Sequence, residues 1–265
     1  MKGSKIVGIL IILVIICSIG VVSYYSISKS ISPKPEGSTV VLTPNDINLS
    51  GNESTTNDTI ETVNLTINKR SGGIKIMFAD TDTICNVTSK SKNSTPTITN
   101  SRENSTLNVH INSENSDNKI VLSKKYKYNI TGTTLAGGLD LNLSKDAKVD
   151  NCNYNLTTGG INIELNNGSL NNFTSHIASG GMNIVGLPSS VTTINSTIEV
   201  GGINVQLNEP VAHILSNVKL GGLNPGDYQK VSDNNYKGKS FDVSSNKLVV
   251  YGNVEVGGIN AQTLK

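Results

Sequence analysis

The sequence predicts an all-β chain: a single β-solenoid of stacked coils, each about 21 residues long, preceded by one N-terminal transmembrane helix. Three observations carry this. Glycine pairs begin at 137, 159, 180, 201 and 221, in steps of 22, 21, 21 and 20 residues. Each pair is followed by apolar residues alternating with polar ones, the two-residue period of a half-buried strand. An uncharged run from Ile6 to about Tyr25 is long enough to cross a bilayer as a helix rising about 1.5 Å per residue.

A single coil justifies the strand assignment. After Gly159-Gly160, Ile161, Ile163 and Leu165 alternate with Asn162 and Glu164. Asn166-Asn167-Gly168-Ser169 is turn chemistry, and Phe173, Ser175 and Ile177 then alternate with Thr174 and His176 into the next pair. The next coils repeat this through Met182, Ile184 and Ile194, and through Ile203, Val205 and Ile214. Two strands per coil, cornered by glycines on one side and a polar turn on the other, give rungs about 4.8 Å apart. Outlying pairs begin at 72 and 257. The 65-residue gap before 137 reads as three degenerate coils over residues 80–134. Val250–Ala261 reads as the last rung, with Leu223–Ser240 as a loop thrown outward that caps the stack.

The repeated Gly-Gly-apolar-Asn-apolar corner resembles the putative-adhesin and LiaF-like ("toast-rack") domains of cell envelopes, over roughly residues 60 to 265. That resemblance implies a membrane-tethered β-solenoid with no catalytic residues to carry over.

Composition agrees with thin coils: 36% apolar residues, 4% aromatic and no Trp would poorly fill a thick helical core. A net charge of +2 gives no reason to expect a nucleic-acid partner. Residues 1–27 read as the membrane anchor, with Lys2 and Lys5 on the cytoplasmic side and Tyr24 and Tyr25 at the interface. A cleaved signal peptide is the rival reading; the run is longer than a signal core, and no small-x-small site ends it. Residues 28–59, rich in Ser, Thr, Asn and Pro, read as a linker, and 60–265 as the ectodomain. The expected location is therefore the cell membrane, single-pass, with the C-terminal domain outside.

Candidate glycosylation sequons stand at Asn48, Asn52, Asn57, Asn64, Asn142, Asn155, Asn167, Asn172 and Asn195, with further ones at Asn86, Asn93, Asn104 and Asn129. Asn162, Asn183, Asn204, Asn224 and Asn260 follow the glycine corner, with Asp140 and Lys75 in equivalent places. They read as an outward amide ladder, each side chain bonded to the rungs above and below, or as a flat strip for a surface polysaccharide. Ser175, Ser196 and Ser216 read as an interior ladder of small residues.

No chemistry is expected. Ser175, Ser196 and Ser216 lack a recurring base, the three histidines share no metal spacing, and acidic residues on the coils read as isolated at Asp140, Glu164, Glu199 and Glu209. Cys85 and Cys152 read as unpaired thiols, too many rungs apart to bridge. No cofactor or metal is called for. The function expected is a non-catalytic, adhesin-like envelope component whose partner is a cell-envelope polysaccharide or a membrane protein. The alternative is an accessory protein in envelope-stress signalling; a glycan-processing enzyme would need paired carboxylates facing one groove.

Overall fold

The computed structural model describes residues 37–47, 59–91 and 94–264. The expected membrane helix lies outside the described residues, as do Asn48, Asn52, Asn57 and Asn93. No helix among the described residues is long and apolar enough to cross a membrane.

In chain order the strands are β1 (Thr39–Leu42), β2 (Thr62–Ala79), β3 (Cys85–Ser89), β4 (Thr97–Glu103), β5 (Thr106–Asn115), β6 (Asn118–Ser123) and β7 (Lys127–Leu143). There follow β8 (Lys148–Asn166), β9 (Ser169–Leu187), β10 (Thr192–Leu207), β11 (Ala212–Asn224), β12 (Gln229–Ser232), β13 (Asn235–Lys237) and β14 (Leu248–Thr263). One short 3-10 turn, Pro44–Asp46, follows β1. The long strands pair in parallel, in register, and each runs through its own glycine pair.

That register places the first glycines of the pairs in one column, in the order 72, 137, 159, 180, 201, 257, 221. Glycine is required there. Gly159 has φ +135°, and a Cβ on it would lie 1.6 Å from the carbonyl oxygen of Gly137. Inward positions stack equally well: Ile74, Leu139, Ile161, Met182, Ile203 and Ile259 form one apolar column, each at most 2% exposed. Burying each such side chain contributes about 1.5–3 kcal/mol.

Both ends depart from the sequence reading. The C-terminal strand β14 is not the last rung: it inserts between β10 and β11, so β11 is the outer coil. The 36 residues from 221 to 257 give the chain enough length to pass back over β11. At the other end, residues 80–134 do not hold three coils. Gly137 stacks directly on Gly72, and β5 with β6 forms one coil on the far side of β2.

The outermost coils are covered by antiparallel strands. β4 pairs with β5, β3 with β6 and β1 with β3; at the opposite end β13 pairs with β11 and β12 with β13. Short antiparallel strands of this kind blunt the open edges that a stack would otherwise offer to other chains. β1 lies within residues 28–59, so part of the stretch read as linker is a strand of the cap. The anticipated capping role of Leu223–Ser240 takes the form of β12 and β13, with Tyr228 buried beneath.

Candidate functional site: two amide faces

The glycine corner divides each coil into two outer faces. After the corner, Asn162 Nδ2 donates to Asp140 Oδ1 at 3.2 Å, Asn183 to Asn162 at 2.9 Å and Asn204 to Asn183 at 2.8 Å. Asn260 then donates to Asn204, and Asn224 to Asn260, both at 2.8 Å. The row is continuous only because β14 sits inside β11. Lys75 closes it with an ion pair to Asp140 at 3.1 Å.

Asp140 and Glu164, read as isolated from the sequence, are bridged by Asn162, whose Nδ2 donates to both at 3.2 Å. Their lone pairs are already engaged: Lys75 holds Asp140, and Asn142 and Asn166 also donate to Glu164. Ser175 and Ser196 bond to each other at 2.9 Å, but Gly252 separates Ser196 from Ser216, whose hydroxyl donates to Asn234 O instead.

Before the corner lies a wider face that the sequence reading did not single out. Asn64 donates to Asn108, Asn129 to Asn64, Asn151 to Asn129 and Asn172 to Asn151, at 2.9 to 3.3 Å. Each of Asn64, Asn129, Asn151 and Asn172 stands eight residues before a glycine pair, a fixed offset that marks the row in the sequence. A parallel column runs Thr66, Thr131, Asn153, Thr174, Asn195 and Tyr251, and another Asn68, Thr133, Asn155, His176, Thr197 and Asn253. From β5 to β11 no Asp, Glu, Lys or Arg occupies any of these three columns. Tyr251 is 47% exposed in this face.

The sequons divide by geometry. Asn64, Asn142 and Asn172 spend their Nδ2 on neighbouring rungs, the atom a glycan would take. Asn155, Asn167 and Asn195 are exposed, and Asn167 sits in a turn with φ +58°.

Other reactive groups are shielded. Cys85 and Cys152 are free and buried, and burial pushes both thiols up to about 12. No group of three or more His, Cys, Asp or Glu able to hold a metal occurs among the described residues. A groove of about 740 Å³ opens beside β2 and β5, lined among others by Lys69, Arg70, Ser113 and Glu114.

Parallel, in-register coils with antiparallel strands over both ends make the fold that of a β-solenoid. No family model matches the sequence, and no curated protein matches it. Among solved structures it is similar to one described as a "putative cell adhesion protein" from Clostridium sporogenes ATCC 15579. The TM-score is 0.58 at 16% identity, over 87% of this chain and 100% of the other. At that identity the likeness shows a shared fold.

Proposed function

We propose that the chain is a membrane-anchored, surface-exposed and non-catalytic β-solenoid, an adhesin-like binding component of the cell envelope, and that the face before the glycine corner contacts an uncharged polysaccharide. The observation that carries this is the absence of Asp, Glu, Lys and Arg from three adjacent columns made mostly of amides and hydroxyls. Rungs about 4.8 Å apart present donors and acceptors at regular intervals to a polymer of hydroxyl groups. Tyr251 adds an exposed ring on which a sugar face can stack. The similarity to a structure described as a cell adhesion protein supports the same reading. The anchor rests on the apolar run Ile6–Tyr25 and its flanking lysines. Glycans, where a cell adds them, would fall on the exposed Asn155 and Asn195, within the proposed contact face.

The test is binding of the full chain, in detergent, to an array of neutral and charged polysaccharides. The expected result is binding to neutral polymers that persists at high salt and is lost in an Asn195→Lys, Tyr251→Ala double variant. Binding confined to charged polymers and abolished by salt, or no change in the double variant, contradicts the proposal.

A further inference from the structure

Three residues before each glycine pair the side chain points inward, and the central coils place Leu156, Ile177 and Ile198 there. In β2 that position is Lys69, which is 5% exposed. Its Nζ donates to Asn118 Oδ1, at the start of β6, and to Ser113 Oγ at 3.4 Å. Asn118 is itself 4% exposed, and its Nδ2 is buried with no hydrogen-bond partner among the described residues. Two hydroxyls converge on the same carbonyl oxygen: Ser113 Oγ donates at 3.0 Å and Ser116 Oγ at 3.3 Å. Ser89 Oγ, fully buried, donates to Ser116 Oγ at 2.9 Å and fixes its position.

A buried amine against a carboxamide, with paired donors on the carbonyl oxygen and a leaving nitrogen that nothing holds, is an arrangement for acyl transfer. A lysine serving only as a hydrogen-bonded cation accounts for neither the orphaned Nδ2 nor the convergence of two serines on Oδ1. We propose that Lys69 and Asn118 form an intramolecular isopeptide bond that staples β2 to the end coil.

The step balances without an oxidant or cofactor. The Lys69 ammonium first gives a proton to water in the groove that it lines. The neutral Nζ attacks Asn118 Cγ, and the negative charge that develops on Oδ1 is held by the Ser113 and Ser116 hydroxyls. One proton passes from Nζ to Nδ2, the Cγ–Nδ2 bond breaks, and ammonia leaves. Amine plus carboxamide give a secondary amide plus ammonia. Burial favours the neutral amine, pulling Lys69 down from 10.5 to about 8, while the Asp117 carboxylate pulls the other way. Asp117 is fixed by the Gly73 N–H at 2.8 Å and by Lys90 at 3.1 Å. The site lies where covalent closure has most effect, since β5 and β6 form the outer coil and have a full coil on one side only.

The experiment is mass spectrometry of the purified full chain. The expected result is an intact mass about 17 Da, one ammonia, below that of the sequence. Tryptic digestion is expected to leave the Lys69–Arg70 bond uncut and to release a branched peptide joining a segment that ends at Arg70 to Glu103–Lys119. Lys69→Arg, which keeps the charge but cannot react, restores the full mass. Ser113→Ala with Ser116→Ala slows formation of the bond at least tenfold in freshly synthesised protein. A wild-type digest in which trypsin cuts after Lys69 and Glu103–Lys119 appears as a linear peptide overturns the proposal. So does a branched peptide that persists in Lys69→Arg. Mass loss from a succinimide at Asn167-Gly168 would give neither the branched peptide nor sensitivity to Lys69.

Discussion

A methyl group on Gly159 would meet the Gly137 carbonyl oxygen at 1.6 Å, on a backbone whose φ of +135° already excludes most side chains. Gly159→Ala therefore combines backbone strain with a clash that no side-chain rotation relieves, and costs about 3 kcal/mol or more. Urea unfolding checks this through a lower midpoint. The amide ladder is gentler. Asn183 makes one bond to each neighbouring rung and is half-buried, so Asn183→Ala should cost about 1–2 kcal/mol, read by the same method. At this scale the sequence showed the Asn162 row because it follows the glycines directly. It hid the row of Asn64, Asn129, Asn151 and Asn172 because these lie across the corner, among many other asparagines. Nothing in the sequence alone marks Lys69, because inward position is a property of the register. Its place three residues before Gly72 has meaning only once β2 is known to stack on β7.

The interior strands β7 to β10 follow the repeat closely, since one unit's apolar face matches the next and any slip would misplace the glycines. The ends were not legible in the same way. Glycine pairs at 72 and 257 announce coils but not their neighbours, because every rung offers nearly the same surface to the next. The strands that mark the outermost coils, β3, β4 and β13, lie in stretches without the repeat. An element-level prediction follows from β14 lying inside β11. Truncation after Lys247 removes an interior rung, so it should expose β11 and everything beyond it to protease while leaving a protected core ending near Leu207. A stack built in simple chain order would keep the segment to Asn224 protected. Limited proteolysis followed by mass measurement separates the two.

At the scale of the whole molecule, the thin core carries groups that must stay neutral. Cys85 and Cys152 are pushed from 9.0 to about 12, and Tyr228 from 10.0 to about 12, each chiefly by burial. Tyr128 and Tyr154 shift in the same direction for the same reason. The unfolded chain loses these protons first. Their contribution is therefore complete below about pH 9 and is lost as pH rises through the folded values. Lys69 has the opposite sign between about 8 and 10.5, and only while it carries a free amine. The denaturation midpoint should accordingly hold level to pH 8.5 and fall steeply above 9, a profile followed by circular dichroism at fixed urea concentration.

The order of the rungs underlies both the continuous amide row and the face proposed to bind, and pairwise cysteine cross-linking tests it directly. In a chain with Cys17, Cys85 and Cys152 replaced by Ala, Asn204→Cys with Asn260→Cys places the thiols on adjacent rungs, whereas Asn204→Cys with Asn224→Cys leaves β14 between them. Adjacent rungs about 4.8 Å apart permit a disulfide, and twice that distance does not. Rapid oxidation of the 204–260 pair with none of the 204–224 pair is the predicted result; closure of 204–224 in preference to 204–260 would contradict the fold described.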